Sequence, residues 1–173
     1  MILTLGLTAA FAGEAAERRA FERTIAEATA EVKLYDGWYT ALLLRGTLMT
    51  EAVRSAQAAR LHHLTDGAAA AQAAPEGLEV WLSASTQFPT ELALAGDGST
   101  PWTISLYAGS SACAPPTEVV EVKKPTAQDR TLFPHFTSWD RVFVARWPAG
   151  ACHGDPDSLR VHGQRGQGAL VWR

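Results

Sequence analysis

The chain has 173 residues, 47% of them hydrophobic and 19% charged, a balance that builds a buried core and excludes a disordered polymer. Fifteen basic residues against 18 acidic ones leave a formal charge of −3, and the cations are scattered singly or in pairs such as Arg18-Arg19 and Lys123-Lys124. No row of cations can displace phosphate counterions, so nucleic acid is not an expected partner.

The first twelve residues, MILTLGLTAAFA, carry no charge and end in Ala10-Phe11-Ala12, the small-x-small pattern read by a signal peptidase. Such a run matches the apolar core of an export signal and is too short to span a bilayer. Residues 1–12 are therefore expected to be a signal peptide, with an ordinary first structural segment as the competing reading. The usual leading Lys or Arg is missing, which a start assigned too far downstream would explain.

Residues 13–66 hold good helix formers and no proline, and are expected to be helical. Phe21, Ile25, Ala28, Val32 and Tyr35 recur at helical spacing, and Asp36-Gly37 is expected to end that first helix. WYTALLLRGTLMT is apolar nearly all round, which predicts a deeply buried second helix with Arg45 snorkelling out. Thr50 is placed to cap a third helix, with Glu51 in its first turn and Val53, Ala56, Leu61 and Leu64 on one arc. Residues 67–75, GAAAAQAAP, read as a linker closed by Pro75.

From residue 76 to 173 the pattern changes to period two. Leu78, Val80 and Leu82 oppose Glu79, Trp81 and Ser83, and Trp102, Ile104 and Leu106 oppose Thr103, Ser105 and Tyr107. Further strands are expected in EVVEVKK (118–124), DRVFVARW (140–147), SLRVHG (158–163) and GALVWR (168–173), with Asp97-Gly98 and QRGQG (164–168) as turns. About six short strands without long intervening helices predict an antiparallel, immunoglobulin-like β-sandwich. The fold class is thus α+β, with an N-terminal helical segment preceding or packed on the sandwich.

ALLLRGTLMTEAVRSAQAARL, taken with WTISLYAG, SWDRVFVARWP and GALVW, resembles a group of exported bacterial proteins over the span from residue 35 to the end. The resemblance implies a helical segment leading into a β-sandwich, and it implies no activity.

The two cysteines, Cys113 and Cys152, each lie just beyond an expected strand, in loops rich in Gly, Ala and Pro. If those strands are neighbours the loops meet, and a disulfide is expected, in keeping with an exported chain. Zinc held by Cys113, Cys152, His153 and Asp155 is the competing reading, weakened because adjacent Cys-His is a poor chelating spacing and Asp-Pro-Asp is a turn sequence. His62-His63 point about 100° apart on a helix and do not share an ion easily.

No serine-nucleophile elbow, zinc-protease motif or phosphate loop occurs, so no catalytic residue, metal or cofactor is expected. Trp81 and Trp139, with Arg141 beside the latter, are the candidate ligand or partner contacts, against the usual burial of such aromatics. The expected function is that of an exported, non-enzymatic structural or interaction protein of the bacterial envelope, binding a protein partner through the helical segment or the sandwich surface. The alternatives are a small exported hydrolase or metal enzyme using a Cys-His-Asp cluster, and a sugar- or peptide-binding module using exposed tryptophans.

Overall fold

A computed structural model describes residues 4–65, 76–96 and 98–172, with side chains from Glu14 onward. Helix α1 (Thr4–Glu27) leads into strands β1 (Thr29–Asp36) and β2 (Tyr39–Leu48), then α2 (Glu51–Leu64). After the interval come β3 (Leu78–Ser85), a 3-10 turn at Pro89–Glu91, β4 (Leu94–Ala95), β5 (Trp102–Ala108), β6 (Ser111–Ala112) and β7 (Glu118–Val122). The chain closes with α3 (Ala127–Leu132), β8 (Arg141–Trp147), β9 (Ser158–Gly163) and β10 (Gly166–Val171).

The strands form two five-stranded sheets. The first runs β1-β2-β3-β8-β7 and is antiparallel throughout. The second runs β10-β9-β5-β4, with β6 also on β5, and is mixed because β4 and β5 are parallel. The protein is α+β, as expected, with a helix at its N-terminal end.

Alternation decides what each face of the first sheet meets. Leu42, Leu44, Val80, Leu82, Phe143, Ala145 and Trp147 share one core with Trp102, Ile104, Leu106, Leu159, Val161 and Leu170 of the second sheet. On the opposite face Trp81 and Val142 join Phe21 and Ile25 of α1, Val53 of α2, and Leu132, Phe133 and Phe136 of the α3 region. The helices thus cover the outer face of a sheet whose inner face packs on another sheet.

That layering corrects the helical expectation for residues 13–66. α1 ends at Glu27, and Val32 and Tyr35 lie on β1. WYTALLLRGTLMT is strand β2, with Leu42 and Leu44 fully buried. Its apolar run arises because the register shift at Ala41 puts Ala41, Leu42 and Leu44 into one inter-sheet core, with Leu43 half-buried on the other face, a pattern that periodicity alone does not separate from a buried helix. Asp36-Gly37 marks a hairpin turn. α2 forms where Thr50 predicts it, with the Thr50 side chain accepting from the Val53 amide. The expected linker at 67–75 lies outside the described residues, as do Met1 to Leu3 of the expected signal peptide, whose remainder belongs to α1.

On one side the two sheets approach each other through β1 and β10. A Cβ at Gly168 would stand 2.7 Å from Val32 and 2.8 Å from Leu34, so only glycine allows this approach. Trp172 ties the sheets again, its indole Nε1–H donating to the Gly46 carbonyl at 3.0 Å.

α3 was not expected from the sequence. Thr126 begins it with a capping box: its hydroxyl accepts from the Asp129 amide at 3.1 Å, and the Asp129 carboxylate accepts from the Thr126 amide at 2.7 Å. Thr126→Ala is expected to lower unfolding free energy by about 1 kcal/mol in urea titration. An unchanged midpoint would show that α3 is held by Phe133 and Phe136 alone.

Candidate functional site

The hairpin between β1 and β2 turns on two residues, Gly37 and Trp38, since Asp36 pairs with Tyr39. A two-residue turn compatible with strand twist needs a positive φ, which Gly37 supplies at 60°. With two residues in the loop there is no room to fold a side chain back, so Trp38 projects outward and is 97% exposed. Tyr35 and Tyr39, flanking the turn, are 60% and 59% exposed. Trp38 thus stands at the tip, with Tyr39 on the face of the hairpin that carries Asp36 and Tyr35 on the opposite face.

Behind the hairpin stands Arg165, in the β9–β10 turn. Its guanidinium donates to both oxygens of Glu91, at 2.7 and 2.9 Å, and to Asp36 at 2.6 Å. It lies 3.8 Å over the Phe88 ring, and Phe88 meets Tyr39 edge-on at 6.2 Å. The hydrogen bond from Arg165 holds the Glu91 carboxyl below its ordinary pKa, and donating to Glu91 and Asp36 raises that of Arg165. The hairpin tip is thereby pinned to the second sheet. Beside Arg165 and Glu91 a surface depression of about 310 Å³ is lined by Thr100, Trp102 and Gln164 among others.

The residues nominated by the sequence do not converge. Trp81 is half-buried on the outer face, stacked 4.7 Å from Phe133, with its Nε1–H donating to Glu79 at 2.7 Å. Its neighbours are those of a core residue. Arg141 pairs with Ala84 and so belongs to the inner face, opposite to Trp81. It donates to Glu121 and to the Leu92 carbonyl, which occupies its fork. Trp139 alone among them stays in water, 88% exposed in the loop before β8.

Cys113 and Cys152 are joined as a disulfide, with Cα atoms 4.4 Å apart. Neither sulfur is left to ligate a metal or act as a nucleophile, and His153 and Asp155 are exposed beside the bridge. His62 and His63 are exposed on α2, His63 lying 3.5 Å from Glu17 of α1.

His135 lies half-buried away from the rim. His135 meets Phe133 and Phe136 edge-on, and its Nε2 is buried without a hydrogen-bond partner. Burial lowers its pKa from 6.5 to about 4, Arg45 adds to the shift, and Asp140 opposes it. The neutral form belongs to the fold, so its stabilising share is complete above pH 6.5 and is lost as pH falls towards 4. Urea midpoints are expected to drop between pH 7.5 and 5 in the wild type and to drop less in His135→Phe. Equal drops would assign the loss to other groups.

No family model matches the chain, and no curated protein or solved structure matches it either. The functional reading therefore rests on the site itself. Sequence reasoning passed over Tyr35, Trp38 and Tyr39 as contacts, although glycine at the first of two loop residues, as in Gly37-Trp38, is a hairpin signal that would have placed them at a tip.

Proposed function

We propose that the protein is a non-catalytic interaction module of the bacterial envelope that engages its partner through the aromatic rim of Tyr35, Trp38 and Tyr39. The observation that carries this reading is the exposure of Trp38 on a two-residue hairpin whose base is fixed by Arg165. An anchored, water-facing indole is the kind of side chain that dominates recognition surfaces. The helices offer less: Phe21, Ile25 and Val53 are already buried against the first sheet. In this reading the scaffold serves as immunoglobulin-like domains do, presenting turns at one end of two facing sheets.

The disulfide supports an oxidising compartment, hence export. With both sulfurs bonded to each other, the hydrolase built on a Cys-His-Asp cluster loses its nucleophile, which leaves recognition as the favoured activity.

A diazirine-bearing phenylalanine at position 38, which keeps an aromatic ring at the tip, irradiated in envelope preparations, tests the rim. Adducts are expected at position 38 and not at the exposed position 51 on α2. No adduct at 38, or equal yields at both positions, would overturn the reading.

A further inference from the structure

We infer that the partner held at this rim is a neutral glycan, its sugar faces stacked on Trp38 and Tyr39 and its hydroxyls bonded in the depression beside Arg165. The inference rests on the rim reading above and names the chemistry of the ligand.

A sugar ring presents a face of C–H bonds and an edge of hydroxyls, and so asks for an aromatic surface next to several fixed donors and acceptors. Both are here. Trp38 at the tip and Tyr39 on the Asp36 face supply exposed rings at the hairpin. Arg165 joins that hairpin to the depression, since it donates to Asp36 at the tip and to Glu91 in the depression wall. Each carboxylate retains acceptor positions beyond those filled by Arg165, and the exposed Gln164 amide both donates and accepts. Fixed polar groups of this kind orient a hydroxylated ligand, whereas an apolar peptide would cover them without replacing their water.

Charge argues in the same direction. The one guanidinium is shared by two carboxylates, so Arg165, Asp36 and Glu91 together carry a net −1 at neutral pH. A phosphate, a nucleic acid or an anionic lipid surface would meet no surplus cation beside the depression, and Lys33 stands on the other face of the hairpin, 5.1 Å from the Tyr35 ring centroid. A neutral polyhydroxylated chain meets no such penalty.

The full chain is to be incubated with insoluble chitin, cellulose and β-1,3-glucan, and separately with vesicles of phosphatidylcholine and phosphatidylglycerol. Retention on at least one polysaccharide is expected. Trp38→Ala should weaken it at least about tenfold, as loss of a central aromatic contact does, and Gln164→Ala should weaken it as well, while His62→Ala on α2 leaves it unchanged. All three side chains are exposed, so their loss spares the fold. Retention on none of the polysaccharides, or undiminished retention of Trp38→Ala, would overturn the glycan. Vesicle binding alone would overturn it in favour of a membrane. Adducts at position 38 with no polysaccharide retained would overturn the glycan and leave the rim standing, whereas neither adducts nor retention would overturn both.

Discussion

The double variant Cys113→Ala/Cys152→Ala is expected to lose about 4 kcal/mol of unfolding free energy on the loop-entropy account, and about 10 °C in Tm for a chain of this size. The two cysteines stand 39 residues apart in sequence and belong to different sheets. Cys113 follows β6 of the second sheet, and Cys152 lies beyond β8 of the first. Beside the bridge the Ala114 amide donates to the Ala151 carbonyl at 2.8 Å, so the folded loops stay close without the sulfurs. The loss therefore falls on the unfolded chain, which gains freedom when the tie is gone. Calorimetry with a thiol titration checks this. Wild-type and variant proteins melting together, with no titratable thiol in the wild type, would contradict the entropic account.

Trp147→Ala is expected to cost about 3–5 kcal/mol, the range for emptying a buried aromatic site. The residue is 1% exposed within the core shared by the two sheets. A comparison with Trp172 sharpens the argument. The Trp147 Nε1–H is buried without a hydrogen-bond partner, whereas that of Trp172 donates to Gly46. Replacing an indole by phenyl removes an unmet donor at Trp147 and a made bond at Trp172. Trp147→Phe should therefore cost less than Trp172→Phe in urea titrations. The reverse order would show that ring volume outweighs the polar atoms.

Strands β3 and β5 were legible because each shows a different chemistry to its two faces. β3 is the clearest case: Val80 and Leu82 enter the inter-sheet core, and Trp81 faces the helices. The same rule failed at β2, where a register shift at Ala41 sends Ala41, Leu42 and Leu44 into one core and the alternation vanishes into Ala41-Leu42-Leu43-Leu44. Phe21, Ile25, Ala28, Val32 and Tyr35 misled for another reason. The first two lie on α1 and the last two on β1, and the even spacing across the junction has no structural meaning. β4 and β6, of two residues each, leave no periodic trace at all.

The site was less legible than the fold. The disulfide followed from two loops placed at strand ends, an inference local patterning can support. The rim instead depends on Arg165 reaching Asp36 across 129 positions of sequence, which no local pattern carries. Trp81 and Arg141 looked alike in sequence as aromatic and cation on neighbouring strands. Pairing of Trp81 with Val144 and of Arg141 with Ala84 sends them to opposite sides of the sheet.

The close approach of β1 and β10 bears on colloidal behaviour. Open sheet borders are templates for fibrils, and here two of the longer borders confront each other, where Gly168 lets Val32 and Leu34 come close. On the far side β4 offers two residues and β7 only five, with the carboxylates of Glu118 and Glu121 along it. Crowded copies of this chain therefore meet short and charged borders on that flank, which keeps them from zipping together edge to edge.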